Sequence, residues 1–220
     1  PVATILAVGT NGLSSTEFTR WKFTATTEDI HLKSIKLTRT SGGDNDFDSI
    51  AIYNASGDKV SSNGYLSGGT VTFNLPLTGS GMVIVPKDGT LVLSAKAVLK
   101  GTSTGVTSSD APILGIANDD VDVVAKGMSS GGNLSGNWDA TNTSTGNAMT
   151  LYKSKPTFAI CGDSCAGGAT PSGTLNPVSM TVLRFTITAD AEGDVIFDGT
   201  NHNVRFTVIG SQTDSDTTNG

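Results

Sequence analysis

The sequence predicts an all-β fold, a Greek-key or jelly-roll-like β-sandwich followed by a linker and the opening strands of a second β-domain. Short apolar stretches alternate with polar residues, and 27 glycines among many Ser and Thr residues indicate frequent turns. The sequence also contains an internal repeat, because LRFTITA at residues 183–189 is similar to WKFTATT at residues 21–27. We therefore predict a β-sandwich domain at 1–160, a Gly/Ser/Pro linker at 161–178, and a partial second repeat or strand-exchange segment at 179–220.

The first domain is predicted to contain twelve short strands. Most show alternation of apolar and polar residues, which places one face of a strand in a core. The strand at 90–99 is almost continuously apolar, which favours a central position and leaves a short helix as the alternative. The turn at 54–57 reads as a hairpin, with Gly57 in a left-handed conformation. The predicted strands are residues 2–8, 18–26, 30–38, 49–53, 59–62, 70–75, 82–85, 90–99, 113–116, 121–124, 148–152 and 157–160.

The third predicted strand changes the side on which its apolar residues lie. Ile30 and Leu32 share one parity, whereas Ile35 and Leu37 share the other. A strand that kept regular pairing would turn one of these pairs away from the core. The pattern therefore predicts a β-bulge at residues 33–34.

The partial second repeat is predicted to form three strands, at 179–189, 194–197 and 203–209. Three strands without partners leave an apolar face and open edges, which are unstable alone in water. Either the sequence is a fragment of a longer tandem protein, or these strands complete a sheet in a neighbouring subunit. The apolar residues predicted to make such contacts are Leu183, Phe185, Ile187, Val204, Phe206 and Val208.

The charge distribution argues against two classes of partner. The formal net charge is −6, and no run of Lys or Arg is longer than two residues. Binding of phosphates requires several converging cations, so we expect no nucleic acid and no anionic membrane as partners. No apolar run approaches the roughly 20 residues of a membrane span. The chain begins at Pro1 without a signal segment, as expected of a processed export product or a trimmed chain.

The two cysteines, Cys161 and Cys165, lie in a glycine-rich stretch. A zinc site needs about four ligands, and only His31 and His202 could join them, neither at motif spacing. Three residues separate the cysteines, whereas redox motifs have two. The sequence therefore favours a small structural disulfide, which implies an oxidising compartment and an extracellular or cell-surface location.

Two acidic clusters are candidates for binding Ca²⁺, the one cofactor that the sequence suggests. Carboxylates at alternate positions of a loop can supply the several oxygen ligands that this ion needs. The EF-hand pattern is absent, and a solvated acidic turn is the alternative interpretation. The candidate ligands are Asp44, Asp46 and Asp48 in the first cluster, and Asp119, Asp120 and Asp122 beside Asn118 in the second.

Trp138 stands almost alone in a long polar stretch at residues 127–146. Aromatic side chains in such loops commonly make contacts, so Trp138 is a candidate for binding a glycan or a neighbouring subunit. Trp21 shares parity with Phe23 and is instead predicted to pack in the core. With two histidines and no arrangement typical of a catalytic site, the sequence predicts that the protein is not an enzyme.

Several stretches resemble the tandem β-sandwich repeats of large exported bacterial surface proteins. They are FTATTEDIHL at 23–32, DSIAIYNASGDKV at 48–60 and VIVPKDGTLVL at 83–93. LYKSKPT at 151–157, followed by LRFTITAD at 183–190, is similar to the junction between such repeats. A more distant likeness is to jelly-roll filament subunits that assemble by donor strands.

The resemblance implies a surface-layer or pilus-like filament subunit whose partners are identical subunits. It carries over no catalytic residue. The alternative, motivated by Trp138 and its polar stretch, is a carbohydrate-binding or adhesin module of a larger exported protein that binds surface glycans.

Overall fold

The computed structural model describes residues 1–134, 144–160, 185–190 and 193–195, and this part of the chain is almost entirely β-structure. One helical turn, α1 (Asp119–Asp122), and one 3₁₀ turn (Asp44–Asp46) interrupt the strands. The strands are β1 (Thr4–Ala7), β2 (Leu13–Ala25), β3 (Ile30–Ser41), β4 (Phe47–Asn54), β5 (Thr70–Asn74), β6 (Val83–Val85), β7 (Gly89–Leu99), β8 (Ile113–Ile116), β9 (Val123–Gly127), β10 (Asn133–Leu134), β11 (Ser144–Thr145), β12 (Met149–Tyr152), β13 (Pro156–Ile160) and β14 (Phe185–Ala189).

Two antiparallel sheets form the body of the domain. The first sheet has the order β2-β7-β4, so the near-continuously apolar β7 is central, as predicted. The second sheet is built around β3. Strands β6 and β5 pair in succession with one edge of β3, and β9 and β8 pair with the other. Short strands β10 and β11 extend this sheet from β9 and β8.

The two sheets share one hydrophobic core. Phe18, Ile52 and Leu93 from the first sheet are fully buried in the same cluster as Leu32 and Leu114 from the second. A strand can bury one face only against another layer, and each sheet supplies that layer for the other. The predicted all-β fold is therefore confirmed.

Several local predictions are also confirmed. The pairing of β3 with β9 shifts register between Leu32 and Ser34, where the change of parity predicts a bulge. Val71 and Phe73 of β5 are buried, as their alternation predicts. Gly57 has a φ of 90°, and its N–H donates to the Asn54 carbonyl at 3.1 Å across the predicted turn.

Two predicted strands differ from the structure. Residues 121–124 begin as the helical turn α1, which leaves Val121 exposed and starts strand β9 only at Val123. The cause is Asn118, whose side-chain oxygen accepts the Asp120 N–H at 3.1 Å and caps the turn. Residues 59–62 form only an isolated bridge to β4, between Lys59 and Tyr53. The pairing does not continue, because the Ile52 N–H donates to the Ser61 hydroxyl at 2.9 Å and not to a backbone carbonyl of this segment.

Two strand pairs stand outside the main sheets. Strand β1 pairs in parallel with β12, and β13 pairs antiparallel with β14 in what we call the ribbon. The ribbon joins the strand predicted to end the first domain to one in the predicted second repeat, so it crosses the predicted boundary at residue 160. None of the helices among the described residues has the length and apolar character needed to span a membrane.

Candidate interaction surface

The ribbon has one apolar face and one face of small, mostly polar residues. Residues that lie opposite each other in an antiparallel pair project to the same face, and successive residues alternate between faces. Three apolar cross-strand pairs share one face of the ribbon, and the pairs between them place Thr or Ala on the other. The apolar pairs are Pro156 with Ala189, Phe158 with Ile187, and Ile160 with Phe185.

Along β13, the apolar face of the ribbon becomes more exposed from Pro156 to Ile160. Pro156 is half-buried, whereas Phe158 is 57% exposed and Ile160 is 81% exposed. Phe185 and Ile187 on the partner strand are half-buried. The described residues therefore leave two large apolar side chains of this face open to solvent.

Polar contacts hold the base of the ribbon together beside the sandwich. The Lys155 N–H donates to the Asp190 carboxylate at 3.1 Å. The Ser154 hydroxyl donates to the Asp194 carbonyl at 3.3 Å. These bonds join the residues before β13 to the residues after β14, so the exposed Ile160 lies at the end of β13 away from them.

The parallel pair of β1 and β12 adds a second exposed surface. Met149 and Leu151 of β12 are buried, whereas Ile5 of β1 is 49% exposed. An open groove of about 510 Å³ runs over this pair. Its lining residues are Ala3, Thr4, Ile5, Ala148, Thr150 and Lys155.

In the first acidic cluster, Asp44 has partners from the protein itself. Its carboxylate accepts the Arg39 Nε–H at 2.7 Å and the Gly69 N–H at 3.0 Å. The hydrogen bond from Gly69 and then the Arg39 guanidinium lower the pKa of the Asp44 carboxyl. Arg39 also donates to the carbonyls of Ser41 and Gly42, so the pair of Arg39 and Asp44 shapes the loop before β4.

Asp46 of the same cluster is buried, with 1% of its surface exposed. Its carboxylate accepts the N–H groups of Gly43 at 2.8 Å and Thr107 at 3.3 Å. Burial raises the pKa of the Asp46 carboxyl, the two backbone hydrogen bonds offset part of the rise, and the nearby Asp110 adds to it. Asp46 therefore connects two loops, whereas Asp48 projects to solvent from β4.

The second acidic cluster is likewise engaged with the protein. The Asp122 carboxylate accepts from Lys36 Nζ at 2.8 Å and from the Asn118 N–H at 3.0 Å, and it is almost fully buried. Asp119 is also buried, and Asp120 is half-buried. Lys36 lies on β3, so its ion pair with Asp122 fixes α1 against the second sheet.

The calcium ligands proposed in these two clusters stay a prediction, and the geometry of the described residues bears on them in one respect. No three His, Cys, Asp or Glu side chains among these residues lie close enough together to hold a metal ion. The donors that occupy the carboxylates of Asp44, Asp46 and Asp122 give these residues roles in shaping loops. In the sequence, carboxylates at alternate positions of a loop resemble the spacing of calcium ligands. The sequence does not show which backbone N–H groups donate to these carboxylates in the folded protein.

Seven of the predicted disulfide and interaction residues lie outside the described ranges. They are Trp138, Cys161, Cys165, Leu183, Val204, Phe206 and Val208. The predicted disulfide and the predicted contact at Trp138 therefore stay predictions. Of the proposed contact residues, Phe185 and Ile187 are described, and both lie on the apolar face of the ribbon.

Phe158, Ile160 and Ile5 are exposed apolar residues that the sequence analysis does not select as contact candidates. A signal was present for the first two, because Pro156, Phe158 and Ile160 alternate with Thr157 and Ala159. The sequence analysis predicts this stretch only as the last strand of the first domain. Searches against protein-family models, curated proteins and solved structures found no match for this chain.

Proposed function

We propose that this protein is an extracellular structural subunit that self-assembles into a cell-surface filament or surface layer, with the ribbon as a contact between copies. The observation that carries the proposal is the apolar face of the ribbon, on which Phe158 and Ile160 are exposed. Contiguous exposed apolar residues on a protein commonly mark a surface that contacts another molecule.

The energetics of a two-stranded ribbon support a covering partner. An isolated pair of strands is marginally stable in water and usually needs a hydrophobic face packed against another layer. Full burial of a Phe or Ile side chain contributes about 1.5–3 kcal/mol. Covering Phe158 and Ile160 would therefore stabilise the ribbon and join the two molecules at the same time.

The sequence similarity between β2 and β14 supports a second copy as that partner. In β2, Trp21 and Ala25 are buried and Phe23 packs partly against the core. The corresponding apolar positions of β14 include Phe185 and Ile187, which are half-buried. Because β14 resembles β2 in sequence, its apolar residues are suited to pack against a sheet like the one against which β2 packs. A second copy of the chain provides such a sheet.

The proposed location outside the cell is supported by features of the sequence. Composition rich in Gly, Ser and Thr, the predicted disulfide between Cys161 and Cys165, and the resemblance to exported surface repeats all agree with it. The proposal is a structural function that uses contact surfaces, and it assigns no catalytic group.

Replacement of Phe158 by Ser tests the proposal. Because Phe158 is exposed, Phe158→Ser should leave the melting temperature within about 2 °C of the wild type. It should abolish ordered filaments or sheets in negative-stain electron microscopy of the purified protein. The matched control is Thr157→Ser, one residue away on the opposite face of the ribbon, which should assemble like the wild type.

Assembly of Phe158→Ser into the same structures as the wild type would show that the apolar face of the ribbon is not the contact. Dispersed single particles for the wild type at every concentration would reject self-assembly itself. A lowered melting temperature with retained assembly would instead assign Phe158 to the fold of a single chain.

A further inference from the structure

Strand β1 has one edge that pairs with no strand in the described part of the chain. Its four residues pair with β12, in parallel and at the opposite edge. Parallel strands are usually found within sheets that are covered on both faces. The parallel pair of β1 and β12 has only two strands, and it leaves Ile5 exposed beneath an open groove. Such an exposed parallel pair is unusual.

This edge also lacks the charged residues, the proline and the bulge that protect many edge strands from pairing with another chain. Natural edge strands are generally protected by charged residues, by proline or by a bulge. Residues 1–16 carry no charged side chain, and the first is Glu17. Strand β1 itself has no proline, and its register with β12 is regular over all four residues.

The direction of the backbone groups in β1 follows from one hydrogen bond. The Val8 N–H donates to the Tyr152 carbonyl at 2.8 Å, so it points towards β12. Backbone groups alternate in direction along a strand, which directs the N–H groups of Leu6 and Thr4 to β12 as well. The N–H and C=O groups of Ile5 and Ala7 therefore point to the open edge.

We infer that the open edge of β1 binds β1 of a second copy of this chain. The two strands pair antiparallel across a two-fold axis, which joins both β1–β12 pairs into one four-stranded sheet. A two-fold axis brings the same edge of both β1 strands together, so that Ile5 and Ala7 of each copy face those of the other. Under this symmetry the two strands run antiparallel. The inference rests on the proposed self-assembly and names one of its contacts.

Charge favours a second copy as the occupant of this edge. The chain has a net charge of −6, so copies repel each other over most of their surfaces. The uncharged segment 1–16 is a place where two copies can approach without bringing like charges together. The edges are also identical in length, so each backbone donor on one copy meets an acceptor on the other.

The test uses the Phe158→Ser protein, in which the ribbon contact is removed, and measures its mass by sedimentation equilibrium. Phe158→Ser alone should form a dimer as its concentration rises. Addition of Ile5→Pro, which removes an N–H from the open edge and no bond to β12, should yield a monomer. Addition of Ile5→Val, which keeps the N–H and the branched side chain, should leave the dimer intact.

Amide hydrogen exchange provides a second readout that needs no change in β1. With rising concentration of Phe158→Ser, the Ile5 and Ala7 amides should exchange at least about tenfold more slowly, because opening of the dimer becomes rarer. The Leu6 amide, which already bonds to β12, should show a much smaller change.

A Phe158→Ser protein that stays monomeric, with Ile5 and Ala7 amides independent of concentration, would overturn the inference. The proposed function would stand in that case if the wild type still assembles. Conversely, if Phe158→Ser assembles as the wild type does and added Ile5→Pro reduces that assembly, the result would support the β1 contact and reject the ribbon contact.

Discussion

At the scale of single residues, buried polar groups determine the shape of the loops. Asp46 illustrates this, because its carboxylate is buried and accepts two backbone N–H groups, one from its own loop and one from Thr107. Lys100 adds a bond from its N–H to the Asp46 carbonyl at 3.0 Å. One side chain therefore holds the loop before β4 against the loop after β7.

The raised pKa of Asp46 predicts how stability depends on pH. The folded protein retains this proton to a higher pH than the unfolded chain does. The contribution of Asp46 to the free energy of unfolding is therefore greatest below the ordinary pKa of a carboxyl group. It decreases as the pH rises, until Asp46 is also ionised in the folded protein.

Asp46→Asn should remove this dependence. Urea denaturation across the acidic range, compared between the two proteins, should show the wild type losing stability relative to Asp46→Asn as the pH rises. Asp48→Asn, at an exposed position on β4, is the control and should follow the wild type. A difference between wild type and Asp46→Asn that is constant with pH would contradict the burial of an ionisable Asp46.

Two glycines with left-handed backbones predict unequal effects of the same substitution. Gly12 and Gly57 have φ values of 87° and 90°. A Cβ at Gly12 would collide with the backbone carbonyl of Leu99, whereas no atom lies within 4 Å of a Cβ at Gly57. Gly57→Ala carries only the conformational cost of about 1–2 kcal/mol.

Gly12→Ala should therefore lower the free energy of unfolding by considerably more than Gly57→Ala does, and by more than about 2 kcal/mol. Chemical denaturation of both variants measures the difference. Equal losses for the two variants would mean that the close approach of residue 12 to the end of β7 is incorrect.

At the scale of secondary-structure elements, alternation of apolar residues predicts strands well and fails where a side chain competes with the backbone. The alternation in β2 and β5 and the parity change in β3 each correspond to an observed feature. By contrast, the capping bond of Asn118 and the hydroxyl of Ser61 interrupt strand pairing at two predicted strands. Hydrophobic periodicity contains no information about such bonds.

The capping bond gives a prediction at this scale. Asn118→Ala should remove the acceptor for the Asp120 N–H and lower the free energy of unfolding by about 0.5–2 kcal/mol. Asn118→Ser keeps a capping oxygen and should retain most of the stability. Thermal or urea denaturation measures both, and equal stability of the alanine variant and the wild type would show that α1 does not depend on this cap.

At the scale of the whole molecule, local sequence patterns do not determine which strands become neighbours. Strand β1 at residues 4–7 pairs with β12 at residues 149–152. The sequence of neither segment indicates which strand it pairs with. The similarity of β2 to β14 indicated a repeat, but it did not indicate that β14 would pair with β13. The exposed positions of Ile5, Phe158 and Ile160 depend on these long-range pairings, so the sequence analysis does not select these residues as contact candidates.

For the whole molecule, we propose two surfaces that bind copies of the same chain. The apolar face of the ribbon and the open edge of β1 would make different kinds of contact, one through side chains and one through the backbone. A molecule with two separate self-contacts can extend beyond a dimer, which a filament or a surface layer requires.

Sedimentation velocity of the wild type over a wide range of concentrations tests this claim most directly. We predict that the sedimentation coefficient increases with concentration past that of a dimer, and that Phe158→Ser limits the growth to a dimer. A single monomeric species at all concentrations for the wild type would contradict the central claim that this chain assembles with itself.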